Sequence, residues 1–226
     1  QRQMCIRDRP FTDTVPKCMM PICGKPLLSW WMELFEKHSV TEVLVNTHYL
    51  PDAVREFVQI YNAKNTGVRL IEAYEKELLG SGGTILANKG FVESESDFLV
   101  CYADNLTDTN LSELIAFHRK KQSVLTMGLF YTNKPIECGI AAIDSQDLIY
   151  EFTEKPESPK SNLANAGIYV TGQEIFKYLP NQKFIDFGKD VLPKLINKMY
   201  GYEIKDYLLD IGNLDNYEKA QKEWQL

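Results

Sequence analysis

The stretch that decides the fold is DFLVCYADNLTD, residues 97–108. Phe98-Leu99-Val100-Cys101-Tyr102 is an unbroken apolar run of strand length, the pattern of a strand covered on both faces. It stops at Asp104, and Asn105, Asp108 and a helical pattern from Asn110 follow. Asp and Asn after a strand are first of all turn formers and helix caps, because their side chains bond the nearby backbone. The same order of residues also describes a metal or ligand site at the carboxyl edge of a parallel sheet.

The flanking sequence supplies the alternation that such a sheet needs. Leu27, Leu28, Trp31, Leu34 and Phe35 share one face of a helix over 27–38, and 41–46 (TEVLVN) reads as a strand. Val54, Phe57, Val58 and Tyr61 repeat the helical spacing, with Pro51 suited to the first turn, and 68–74 is the next strand. A Gly-rich loop leads into a short helix ending near Asn88, and Asn110 with Glu113 is a capping-box variant. Beyond residue 122 strands dominate, at 123–131, 139–144, 148–155 and 165–170. Helices are expected at 173–179 and 188–199, then a strand over 202–212 and a last helix at 214–224. The expected fold is therefore α/β, a Rossmann-like doubly wound sheet that becomes mixed, in a single domain spanning 10–226. Residues 1–9, QRQMCIRDR, start no periodic element, lack signal-peptide features and read as a foreign leader.

Bulk properties narrow the function. A formal charge of −6 argues against a general nucleic-acid binder, which needs a basic face, so any phosphate must be met by a few local cations or a metal. No apolar stretch approaches the roughly 20 residues of a membrane helix. Five scattered cysteines, with no zinc-like spacing around Cys18 and Cys23, suggest a reducing, cytoplasmic setting. Cys101 sits in the apolar run as a small hydrophobe. His118 falls on an apolar helix face and reads as core, as do Trp30 and Trp31.

Four stretches could carry chemistry. In 10–28, PFTDTVPKCMMPICGKPLL, Lys17 lies on a proline-stiffened loop, where a phosphate would cost it few conformations, although an ordinary surface loop looks the same. Gly80, Gly82 and Gly83 surround a turn opening a helix, where backbone N–H groups can meet a ligand closely or simply turn the chain. Glu154-Lys155-Pro156 and Asn165-Ala166-Gly167 flank a charged loop between strands, a carboxylate for hydroxyls beside a cation for phosphate. YLLDIGNLDNYEKAQ ends a second apolar strand on Asp210. One such Asp is a cap; two suggest a carboxylate pair around a divalent cation, and Mg²⁺ needs few protein carboxylates when phosphates complete its shell.

Together, in this order, these stretches resemble the sugar-1-phosphate nucleotidyltransferases, also called nucleotide-sugar pyrophosphorylases, over residues 10–224. The shorter members of the family, the mannose-1-phosphate guanylyltransferases, are those it most resembles. The resemblance implies the nucleotide-diphospho-sugar transferase type of fold and a reaction of NTP with a sugar 1-phosphate to give an NDP-sugar and pyrophosphate. GDP-mannose is the first expectation; thymidylyl or uridylyl transfer to glucose 1-phosphate, or a regulatory subunit that binds without turnover, are the alternatives. It further implies that Lys17 holds the triphosphate, that Gly80, Gly82 and Gly83 line base and ribose, and that Asp104 and Asp210 bind Mg²⁺. Gly139, Glu154 and Asn165 would face the sugar and Lys155 its phosphate; Asp186 and Asp190 are expected to be structural. The family opens on a strand and a G-x-G-T-R loop, and here QRQMCIRDR stands in that place. Partners are the two small anions, with no nucleic acid and no membrane; a homo-oligomer is left open.

Overall fold

The computed structural model describes residues 14–224, so the leader reading of 1–9 falls outside the described residues. In chain order the elements are β1 (Pro21–Ile22), β2 (Lys25–Pro26), α1 (Leu27–Lys37), β3 (Glu42–Thr47), α2 (Pro51–Ala63) and β4 (Arg69–Tyr74). Then come α3 (Ser81–Ala87), β5 (Asp97–Cys101), β6 (Asn105–Thr107), α4 (Leu111–Lys121), β7 (Leu125–Tyr131) and β8 (Gly139–Ile143). The chain continues with β9 (Ile149–Glu154), β10 (Leu163–Gly172), β11 (Met199–Glu203), β12 (Leu208–Asp210) and α5 (Leu214–Glu223). The fold is α/β with a mixed sheet, as the sequence predicts. The described residues pack as two compact units, the first made of 14–77, Ala103–Thr109 and 206–224, the second of Leu78–Tyr102 and Asn110–Lys205.

In the first unit, β3, α2 and β4 make a βαβ crossover, the strands parallel from Glu42↔Arg69 to Thr47↔Tyr74. Pro51 opens α2, as expected of a residue whose missing N–H is not needed there. α1 buries Leu27, Leu28, Trp30, Trp31, Leu34 and Phe35. Its two indoles also bond backbone carbonyls, Trp30 Nε1 donating to Ile22 O at 3.0 Å and Trp31 Nε1 to Asn105 O at 2.8 Å. β6 pairs antiparallel with β12, Asp210 opposite Asn105. α5 is capped by Asn213, whose side chain accepts from Asn216 N.

The second unit holds a sheet in the order β11-β7-β10-β8-β9, with β5 on β10. β11 runs parallel to β7, and β10 is antiparallel to β5, β7 and β8. Two expectations need correction here. The apolar strand β5 was expected in a parallel ladder, but its described partner β10 is antiparallel. The expected strand 202–212 divides into β11 and β12, one in each unit, because Lys205-Asp206 interrupts its apolar pattern.

The expected α-helices at 173–179 and 188–199 are instead short turns. Gln173–Lys177 and Leu192–Leu195 are 3₁₀ and Phe187–Val191 is a single π turn. Pro193 supplies no N–H, and the Asp186 and Asp190 carboxylates take backbone N–H groups at 3.1 and 2.8 Å, so an α ladder does not extend through the segment. Met127, Leu129, Tyr169, Phe187, Leu192 and Met199 anchor this unit's core. Each such side chain contributes about 1.5–3 kcal/mol of transfer free energy. Asn110 and Glu113 form the predicted cap at the start of α4, Glu113 N–H donating to Asn110 Oδ1 at 3.2 Å.

Candidate active site

In the first unit the β6–β12 ladder brings the two strand-end acids together. Ile211 N–H donates to Asp104 O at 3.0 Å, just beyond the Asp210↔Asn105 pair. Lys17 follows a Pro16 in extended conformation and starts a 3₁₀ turn, and its Nζ lies 3.7 Å from Asp104 Oδ2. A Cβ on Gly212 would stand 2.8 Å from Asp210 Oδ1 and 3.3 Å from Lys17 Nζ, so the ammonium and both acids border one small space. Asp210 Oδ1 accepts the Gly212 N–H at 2.6 Å, which aims the carboxylate. Trp31 Nε1 donates to the Asn105 carbonyl, tying the position of the neighbouring Asp104 to the α1 core. Burial pushes the Cys18 thiol up to about 12, and Asp104 adds to it, so this neighbour stays neutral.

Lys17, Asp104 and Asp210 are thus gathered as a cation and two carboxylates. Among the described residues no group of three or more His, Cys, Asp or Glu could hold a metal. Two carboxylates still fit Mg²⁺, which keeps most of its shell for water and phosphate oxygens.

The second unit carries the other expected residues. Gly80 has φ +78° and ψ 164°, and a Cβ there would stand 2.5 Å from Ile185 O. Gly82 and Gly83 N–H both donate to that carbonyl, at 2.9 and 3.3 Å, while Ile185 N–H donates to Leu79 O at 2.8 Å. The three glycines therefore let the loop lie directly on the 184–186 backbone. Glu154 ends β9 opposite Gly139, and a Cβ on Gly139 would meet Glu154 Oε2 at 2.5 Å. Gly188 gives room on the other side, its Cβ position 2.8 Å from Glu154 Oε2 and 3.4 Å from Asp186 Oδ1. Burial raises the Glu154 carboxyl above its ordinary range; Lys155 and Lys189 oppose this and Asp186 adds to it.

Lys155 is exposed, with a left-handed backbone at φ +49° and its N–H on Cys138 O at 3.1 Å. Asn165 sits at the bulge in β10, where Gly167 has φ +68°. Asn165 Nδ2 donates to Tyr169 at 2.6 Å and its Oδ1 accepts from Gly167 N–H at 3.0 Å. Sequence reasoning missed Ser81, Tyr102, Tyr169 and Gly188. Gly188 lies between Asp186 and Asp190, and Tyr102 lies two residues before Asp104, but neither position announces its contacts. His118 is core as expected, 4% exposed and bonded to Thr126 at 2.9 Å.

Residues 6–225 match the model of the nucleotidyl transferase family, and the chain belongs to that family. It is 29% identical over 233 residues to a UTP–glucose-1-phosphate uridylyltransferase of Synechocystis sp., covering 95% of this chain and 59% of the relative. A mannose-1-phosphate guanylyltransferase of Mycobacterium tuberculosis is 28% identical over 218 residues, covering 95% and 60%. The chain thus spans about three fifths of those relatives' own length. Among solved structures, HddC from Yersinia pseudotuberculosis superposes with a TM-score of 0.80 at 25% identity, covering 93% of this chain and 91% of that one. The same protein has been solved complexed with GMP-PN.

Proposed function

We propose that this chain transfers a nucleotidyl group from an NTP to a sugar 1-phosphate, releasing pyrophosphate. The observation that carries the reading is the meeting of Lys17, Asp104 and Asp210 at the end of the β6–β12 ladder. A phosphate oxygen of the sugar attacks the α-phosphorus in line. Because that oxygen is already anionic, no general base is needed, and the work lies in bringing two anions together. Unit charges about 4 Å apart repel by roughly 4 kcal/mol at an effective dielectric near 20. Lys17 meets the triphosphate, and Lys155 the sugar phosphate. Asp104 and Asp210 would hold a magnesium ion, which supplies charge neutralisation at the phosphates when bound.

Glu154 accepts from sugar hydroxyls, with Gly139 leaving room beside it, and Asn165 faces the same ligand. Gly80, Gly82 and Gly83 form the turn against which base and ribose lie. We read residues 10–226 as the nucleotidyltransferase domain of a cytoplasmic enzyme. GTP and mannose 1-phosphate are the preferred pair, supported by the guanylyltransferase relatives and by the GMP-PN complex of HddC. The uridylyltransferase relative favours UTP and glucose 1-phosphate as the second reading.

The test is a matrix of NTPs against sugar 1-phosphates, read as pyrophosphate release with and without Mg²⁺. One pair should stand out, and Asp104→Asn should lower its turnover by about 100-fold or more. Turnover at the wild-type rate in that variant would remove Asp104 from the reaction, and the two strand-end acids would revert to caps.

A further inference from the structure

A path of hydroxyls crosses the second unit from Asn165 to the glycine loop. Tyr169 is fully buried, and its oxygen accepts from Asn165 Nδ2 at 2.6 Å. The rings of Tyr169 and Tyr102 meet edge-on with centroids 5.9 Å apart, and their hydroxyls hydrogen-bond. Tyr102 also hydrogen-bonds Ser81, between Gly80 and Gly82, and Ser81 Oγ accepts from Phe187 N–H at 3.0 Å. The path is Asn165–Tyr169–Tyr102–Ser81–Phe187.

Its proton order can be counted. Both ends, a side-chain amide Nδ2 and a backbone N–H, only donate. The three hydroxyls between them have three protons for two links, so one proton is left over. On Tyr169, which is 0% exposed, that proton would be a buried donor without an acceptor, so Tyr169 donates to Tyr102. The remaining proton sits on Tyr102 or Ser81, both partly exposed.

We propose that Tyr102 is a positioning residue that ties Asn165 to the glycine loop, and that the remaining hydroxyl proton, on Tyr102 or Ser81, serves a ligand oxygen. This rests on the nucleotidyltransferase reading. A nucleotide oxygen that accepts the Ser81 proton sets Tyr102 to donate to Ser81, so every link then runs one way from Asn165, the same order that a ligand fixing Asn165 supports. Each substrate therefore tightens the other, since hydrogen bonds in such a chain polarise one another. Tyr102→Phe keeps the ring against Tyr169 and deletes the linking hydroxyl.

The experiment measures KM for sugar 1-phosphate and for NTP, with kcat, in the wild type and in the Tyr102→Phe, Tyr169→Phe and Ser81→Ala variants, alongside their melting. Calorimetric titration of sugar 1-phosphate with and without a non-hydrolysable NTP analogue reads the coupling directly. Tyr102→Phe should raise both KM values about tenfold while kcat falls much less, and should abolish the analogue's effect on sugar-phosphate affinity. Tyr169→Phe severs the same path next to Asn165 and should raise the sugar 1-phosphate KM and likewise abolish the coupling. Should Tyr102→Phe fail to fold, Ser81→Ala cuts the same path at its other end and should also abolish the coupling. Unchanged KM values in a folded Tyr102→Phe or Ser81→Ala protein overturn the proposal, as does a melting change without any KM change. A wild-type chain that neither turns over nor binds the two anions overturns the enzyme reading first.

Discussion

Gly80→Ala is a sharp perturbation, because it separates two reasons a loop can be rich in glycine. The backbone there, φ +78° and ψ 164°, lies in a region open essentially to glycine alone, at a cost of about 1–3 kcal/mol for any other residue. The new methyl would also stand 2.5 Å from Ile185 O and 3.1 Å from the Phe184 ring. The carbonyl cannot step aside cheaply, since it accepts the N–H groups of both Gly82 and Gly83. Overpacking of this kind costs about 1–3 kcal/mol more, giving roughly 2–6 kcal/mol in all. For a chain of this size each kcal/mol shifts the melting point by about 2–4 °C, so a fall on the order of 10 °C is expected. Gly90→Ala is the control, because a Cβ there meets nothing within 4 Å. Calorimetric melting of both variants, with nucleotide titration well below the transition, is the assay. A Gly80→Ala protein that melts within about 2 °C of the wild type yet no longer binds nucleotide would refute the packing argument and hand the glycine to the ligand.

Trp31→Phe deletes the donor to Asn105 O and should cost about 1–3 kcal/mol by urea unfolding, while raising the Mg²⁺ concentration that half-saturates turnover. An unchanged urea midpoint would break the link from α1 to the acid-bearing strand. Glu154→Gln tests a stability cost with a definite sign. The folded-state pKa is raised above the ordinary 4.5, so the fold favours the protonated form, and stability falls as pH rises through that raised value. The variant should therefore melt above the wild type at pH 7 and level with it near pH 4, with a higher KM for sugar 1-phosphate at either pH. Parallel melting curves for the two proteins across that range would contradict the burial of this carboxyl.

What the sequence made legible was local. The period of α1 and α2 and the cap at Asn110 all lie within one turn of helix or one run of apolar residues, and they appear where spacing puts them. Asp104 and Asp210 could be paired as candidates because each ends an apolar strand, but the register that sets Asp210 opposite Asn105 lies in no local pattern. The same limit hid the hydroxyl path, since Tyr102 and Tyr169 look like ordinary core aromatics until β10 is laid on β5. The segment 187–195 misled for another reason. Its apolar spacing suits a helix, yet Asp side chains and Pro193 compete for the backbone that a helix would use.

The β6–β12 ladder joins residues about a hundred positions apart in sequence. During synthesis, Asp104 leaves the ribosome long before the strand that carries Asp210, and β6 must wait for its pairing with β12. The second unit is different, because every strand it needs has been made by Glu203. A nascent chain can thus hold a finished sheet while its acid pair is still uncompleted, and competence for chemistry would wait on the residues that follow Glu203.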